Sequence, residues 1–326
     1  YDEHGDIITD SLPLMYTGSV VQREQITEAY EKLTDAQARY KTAKTSKEQK
    51  STIKLFEKSF QGKKGVVGII GAGNFTSSTL MPNLKKTKAD IKFIASSAGL
   101  SSTILAKKYG IANSTTNYQD ILEDGNVDLV FITTQHNTHA KMVVESANSG
   151  KSVFVEKPLA LSKEELSEVI NSYENNNINI SVGFNRRFAP FANKMKKALG
   201  DNEIPINIIA TMNAGFIPKD VWVHDMELGG GRIIGEGCHF VDLMRYLVGY
   251  PIETFQATMI GSSYENEVCD DKVSILLKFK DGSFGTINYL ANGSNEYPKE
   301  GVEVFCGNSV LEMNNYRTLK AYGYNN

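Results

Sequence analysis

One lysine in this chain stands where a proton-handling group is useful. Lys157 follows the apolar run Ser152-Val-Phe-Val-Glu156 and precedes Pro158. A lysine desolvated at the carboxyl end of a strand shifts its pKa towards neutrality, so it shuttles a proton or polarises an oxygen. The alternative is an ordinary surface lysine. A second candidate is His239, in Gly229-Gly-Gly231-Arg232-Ile-Ile-Gly235-Glu236-Gly-Cys-His239-Phe-Val-Asp242. Imidazole ordinarily titrates near working pH. Asp242, three residues on, shares a helical face with His239 and is placed to orient it. The alternative is a core histidine hydrogen-bonded at a helix start.

A binding signature accompanies them. Gly71-Ala-Gly73-Asn74-Phe75-Thr76 follows an apolar strand and opens a helix, the context that a dinucleotide fingerprint requires. Gly71 permits the tight turn, and Gly73 lets backbone N–H groups approach a pyrophosphate at a helix start. Thr76 holds the third fingerprint place, where Gly or Ala is usual. An NAD-selective site puts an acid after the second strand. Here that strand ends in Ala95-Ser96-Ser97, and the hydroxyls suit a ribose or a phosphate. The cofactor expectation is therefore NAD or NADP, leaning to NADP or dual use.

Alternating elements must position these groups. Strands are expected over 65–71, 91–95, 127–133, 152–156 and 178–182, with helices over 101–109 and 140–149 between them. Ser162-Lys-Glu-Glu165 opens a further helix with a capping box. This rhythm predicts a doubly wound parallel sheet of the Rossmann type over 63–184. Residues 185–326 read as an α+β substrate-binding and oligomerisation domain. It has an open, largely antiparallel sheet over 206–210, 254–260, 272–279, 284–290 and 302–305, with a helix around 239–248. Residues 1–62 differ. Ile26, Tyr30 and Leu33, then Ile53, Phe56 and Phe60, recur at helical spacing and predict one or two linker helices.

Composition excludes several classes. A net charge of −3 over 326 residues gives no sign of a nucleic-acid or anionic-membrane partner. No apolar run nears the ~20 residues of a membrane span. Cys238, Cys269 and Cys306 are odd in number and form no CxxC pair, which disfavours a disulfide framework and fits a cytoplasmic setting. The chain begins at Tyr1 rather than Met, so a fragment of a longer protein is expected. The open sheet predicts a homo-oligomer.

Three stretches taken with the glycine turn carry a resemblance: Glu156-Lys157-Pro158, Gly183-Phe-Asn185-Arg186-Arg187-Phe188, and the Gly-Gly-Gly to His239-x-x-Asp242 segment. They resemble the Gfo/Idh/MocA oxidoreductase family from about residue 63 to residue 323. The resemblance implies hydride transfer between a nicotinamide and a sugar or nucleotide-sugar hydroxyl or carbonyl, with Lys157 and His239 catalytic. It implies cofactor contacts from Gly71, Gly73, Asn74, Phe75, Ser96, Ser97, Thr133, Thr134, His139, Glu156 and Lys157. For the substrate it implies Asn185, Arg187, His239 and Asp242, and Trp222 reads as a surface for stacking a sugar face. Family members often carry Asp four residues before the histidine. This chain has Gly235 there, with Glu236 next. His136 and His139 are three apart, but no acid or cysteine stands nearby, and no metal is expected. Residues 8–13 and 25–33 are similar to the tail of a zinc-alcohol-dehydrogenase-like module, fused or separate. A dinucleotide-binding regulator without catalysis is the alternative function.

Overall fold

The computed structural model describes residues 51–62, 64–200, 204–261 and 268–324. Tyr1–Ser51 groups apart from Thr52–Asn326, and only the second unit is described below. The expected helices before residue 51, and the similarity to an alcohol-dehydrogenase tail, lie outside the described residues.

The first sheet has the order β1-β4-β3-β2-β5-β6-β7. Its strands are β1 (Thr52–Lys54), β2 (Val66–Ile70), β3 (Asp90–Ala95), β4 (Asn113–Thr115), β5 (Leu129–Ile132), β6 (Ser152–Val155) and β7 (Ile180–Val182). All pairs from β4 to β7 are parallel, and β1 runs antiparallel to β4. Strand β2 is buried along its whole length because both its faces are covered. The helices of ten or more residues here are α1 (Leu100–Tyr109), α2 (His139–Asn148) and α3 (Lys163–Asn175). The predicted capping box starts α3: Ser162 accepts from Glu165 N, and the Glu165 carboxylate reaches back to Leu161 N at 2.7 Å.

Two expectations fail near the edge of this sheet. Ile53, Phe56 and Phe60 do not share a helix face. Ile53 lies on β1, and Phe60 alone of the three is buried, under the sheet edge. The ladder to β4 overrides their helical spacing, so this sheet begins at Thr52 rather than 63. Strand β4 itself escaped prediction because Asn-Ser-Thr carries no apolar signal. Its buried hydroxyls are satisfied by Ser102 and Asp120 instead.

The second sheet has the order β14-β13-β12-β8-β11-β10-β9. These are β8 (Asn207–Asn213), β9 (Ile252–Met259), β10 (Lys272–Phe279), β11 (Phe284–Leu290), β12 (Glu300–Cys306), β13 (Ser309–Asn314) and β14 (Thr318–Tyr322). Every pair is antiparallel except β8 with β11. Helices α4 (Pro190–Leu199) and α5 (Cys238–Val248) cover one face. Met195, Leu199, Phe240 and Leu243 pack there on Ile208, Met212, Ile287 and Tyr289. The other face bears Ile209, Leu276, Phe284, Leu290 and Phe305, all partly open. No helix among the described residues is long and apolar enough to cross a membrane.

Candidate active site

The glycine turn, Thr133 and Lys157 follow β2, β5 and β6 at the same carboxyl edge, next to the point where the strand order reverses. Open α/β sheets bind ligands there. Gly71 has φ +111°, and a Cβ on it would stand 2.7 Å from the Thr133 backbone and hydroxyl. Only glycine fits. Around Gly73, by contrast, a Cβ would meet nothing within 4 Å, which leaves the backbone open to a ligand. Thr76 explains its departure from the fingerprint. Its buried hydroxyl bonds to Gly71 O at 2.9 Å and to Thr133 Oγ1 at 2.7 Å, so it ties the turn to β5. Asn74 is exposed beside Gly73 at the start of the following helical segment.

A cleft of about 780 Å³ runs from this turn across Ser96, Ser97, Ser101 and Thr116. Its rim offers hydroxyls, with no carboxylate and no cation among its lining residues. The Ser96 hydroxyl accepts from Ser102 N at 3.3 Å and so anchors the start of α1, and Ser97 is exposed next to it. An open glycine backbone beside a hydroxyl-lined trough fits a dinucleotide.

Thr133 and Thr134 also line a second cleft of about 440 Å³, shared by both sheets' domains. Of the residues expected at the site, Phe75, Glu156, Lys157, Asn185, Trp222 and His239 line it, joined by His136, Arg186, Arg232 and Glu236. Lys157 Nζ donates to Gly235 O at 2.7 Å, one of its three donors. The Glu156 carboxyl packs where Gly183 lacks a side chain, and burial raises its pKa against the pull of Lys157.

His239 is 2% exposed, and its Nδ1 is buried without a partner. Burial, then the Arg186 and Lys157 cations, push its pKa down to about 3. It is therefore a neutral ring at working pH, contrary to the expected titration near neutrality. Asp242 does not orient it. That carboxylate is engaged by Arg187, whose Nε donates at 2.9 Å and whose second nitrogen bonds the other oxygen. Asp242 and Arg187 thus pair with each other, and neither is among the residues that line this cleft. Residues Asn185–Phe188 form a 3₁₀ turn, which throws consecutive side chains about a third of a turn apart. Arg186 is the one that faces the cleft, held by both Glu300 oxygens at 2.8 and 3.3 Å. Glu236 lines the cleft too, but accepts from Tyr289 Oη at 2.5 Å rather than from His239.

His139 is fully buried. Its Nδ1 and Nε2 face the carbonyls of Pro158 and Thr134 at 2.7 and 3.2 Å, leaving neither nitrogen for a dinucleotide. It locks the loop after β5 to the Glu-Lys-Pro segment. Trp222 meets the ring of His136 edge-on, centroids 4.9 Å apart.

A glycine turn at the sheet's reversal point, with a lysine at its far side and a second domain closing over it, defines a two-domain dinucleotide-binding oxidoreductase. Comparison with known proteins makes this specific. The oxidoreductase family with an NAD-binding Rossmann fold matches residues 66–184, and the GFO/IDH/MocA C-terminal domain matches residues 194–312. Oxidoreductase P35 of Formosa agariphila is 30% identical over 236 residues, 69% of this chain and 72% of its own. Myo-inositol 2-dehydrogenase of Thermotoga maritima is 27% identical over 221 residues, 65% of this chain and 64% of its own. The solved structure of a levoglucosan dehydrogenase with NADH and levoglucosan shares the fold. It has a TM-score of 0.69 and 23% identity, covering 78% of this chain and 75% of that one. The chain belongs to the Gfo/Idh/MocA oxidoreductase family. It is an NAD-binding enzyme of the dehydrogenase/reductase type.

Proposed function

We propose that this protein transfers hydride between a nicotinamide and a CH–OH or carbonyl carbon of a sugar-like substrate, free or nucleotide-linked. The observation that carries this is the position of Lys157. Its ammonium lies in the cleft that adjoins the dinucleotide trough at Thr133 and Thr134 and is roofed by the second domain. A bound dinucleotide supplies the hydride acceptor or donor. Lys157, fixed by Gly235 O, keeps two further N–H groups for the reacting oxygen; as the ammonium it delivers a proton to that oxygen in reduction, and as the neutral amine it takes one up in oxidation. His239 acts as a neutral hydrogen-bonding ring. Arg186, Arg232 and Asn185 line the substrate side, the first two in charge networks that hold their positions. The names of the inositol and levoglucosan dehydrogenases support a polyhydroxylated substrate.

The hydroxyl rim at Ser96 and Ser97 neither repels a 2′-phosphate nor clasps a 2′-hydroxyl with an acid, so the reading is dual use of NAD and NADP. The open apolar face of the second sheet makes the protein a homo-oligomer, with a second copy covering Ile209, Leu276 and Phe284. Cys238, Cys269 and Cys306, odd in number and without a CxxC pair, suit a cytoplasmic setting.

Fluorescence titration with NADH and NADPH tests the first half. An absorbance screen with myo-inositol, levoglucosan and UDP- or GDP-sugars tests the second. Protein that ignores both dinucleotides refutes the reading, and binding without turnover of any of these refutes its substrate class. Light scattering checks the oligomer, which Phe284→Glu is expected to dissociate.

A further inference from the structure

Position 235, where the family resemblance implies an acid, is glycine, and an imidazole from across the cleft stands beside it. A Cβ on Gly235 would stand 3.1 Å from His136 Cε1 and 3.5 Å from its Nδ1. The imidazole of the first domain therefore stands on ground that a side chain from the second would need. Three contacts hold it there. Nδ1 meets Gly229 O at 2.8 Å, Trp222 packs edge-on against the ring, and the adjacent Asn137 N donates to Leu228 O at 3.2 Å.

These contacts fix the tautomer. A carbonyl oxygen only accepts, so Nδ1 carries the proton and Nε2 of the neutral ring keeps a bare lone pair. Burial first, then Lys157 and His139, push the ring's pKa down to about 4, so it stays neutral at working pH. Among the described residues Nε2 has no hydrogen-bond partner, and it is not sealed from the cleft. The ring lines the same cavity as Lys157 and His239. As an ammonium Lys157 offers only donors there, whereas a sugar carries hydroxyls that must also donate.

We propose that His136 is a specificity residue of the cleft: seated over Gly235, it accepts through Nε2 a hydrogen bond from a substrate hydroxyl next to the reacting one. The inference rests on the reading of this cleft as a sugar site. It also gives Gly235 a purpose, because a side chain there crowds the ring, which would have to shift to make room.

The test pairs kinetics with nitrogen NMR. With myo-inositol or levoglucosan as substrate, His136→Leu keeps the bulk and removes the acceptor. It should raise KM about tenfold while kcat and NADH affinity change little, because the lost bond holds ground and transition states alike. His136→Gln, which restores an acceptor, should recover most of the loss. In ¹⁵N-histidine-labelled protein, the signal missing from His136→Leu should report Nδ1–H and stay unprotonated down to pH 5. An unchanged KM in His136→Leu overturns the proposal, as does an Nε2–H tautomer or a ring titrating near pH 6.5. Wild-type protein that binds NADH but turns over neither polyol counts instead against the sugar reading.

Discussion

The two clefts that meet at Thr133 and Thr134 are built from different materials. The dinucleotide trough is backbone and hydroxyl: Gly71, Gly73, Ser96, Ser97 and Thr116, with no ionised side chain on its rim. The substrate cleft is built from long, charged side chains held by partners far away in sequence, such as Arg186 on Glu300 and Arg232 on Asp271. The first material recognises a ligand common to many enzymes and tolerates little change. The second is adjustable, because each charged group is a rotamer held by a partner that evolution can exchange.

The sharpest way to separate the two is at Lys157. Lys157→Ala is expected to lower kcat about 10²–10⁴-fold, the usual worth of a positioned proton-transfer group, with the NADH dissociation constant nearly unchanged. Stopped-flow absorbance and fluorescence titration measure the pair. Equal loss of both would merge the two clefts into one functional unit. Next in size is Gly71→Ala. The residue sits at positive φ with no space for a methyl group, so about 2 kcal/mol or more of stability should go, with most dinucleotide affinity. A melting curve that matches wild type would show the turn is more yielding than its geometry.

Smaller effects probe the rim and the far wall. Ser97→Asp places a carboxylate at the end of β3. It should weaken NADPH binding by about tenfold and leave NADH alone, since a charge repulsion near 1.4 kcal/mol suffices. Arg187→Met breaks the ion pair with Asp242, outside the cleft. It should cost about 1 kcal/mol of stability and leave kcat/KM intact. Lost activity at wild-type stability would return Arg187 to the substrate wall.

The gentlest probe is pH. His136 and His239 are neutral in the fold, with pKa values of about 4 and 3, whereas an unfolded chain protonates histidine near 6.5. Below about pH 6.5 the unfolded state binds protons that the fold refuses. Stability is full above that value and falls as pH drops towards 4. Urea midpoints at pH 7.5 and 5 should show the decline, and His239→Gln should flatten it.

What the sequence disclosed follows the same division. Gly71, Gly73 and Lys157 are legible because each sits in a short segment whose chemistry is local. Strand β2 was readable from its unbroken apolar run. The sequence pointed to Arg187 and passed over Arg186, which lines the cleft, because the partners that sort them, Glu300 and Asp242, lie 114 and 55 residues away. His136 gave only a weak sign, its spacing to His139, and its real neighbour is a glycine on another domain. Strand β1 hid behind helical spacing and β4 behind polar residues, since pairing rather than propensity makes them strands.

The central place of β8 has a consequence for how the molecule is made. Its two flanking strands are β11 and β12, both later in the chain, so it leaves the ribosome with neither. Until residues 284–306 emerge, Ile208, Ala210 and Met212 have only α4 and whatever has formed of α5 to shelter against. The first sheet, by contrast, has its last strand by Val182. The half bearing Lys157 is ready early and the half bearing His239 late, so the crevice between them is the last feature of a newborn chain to close.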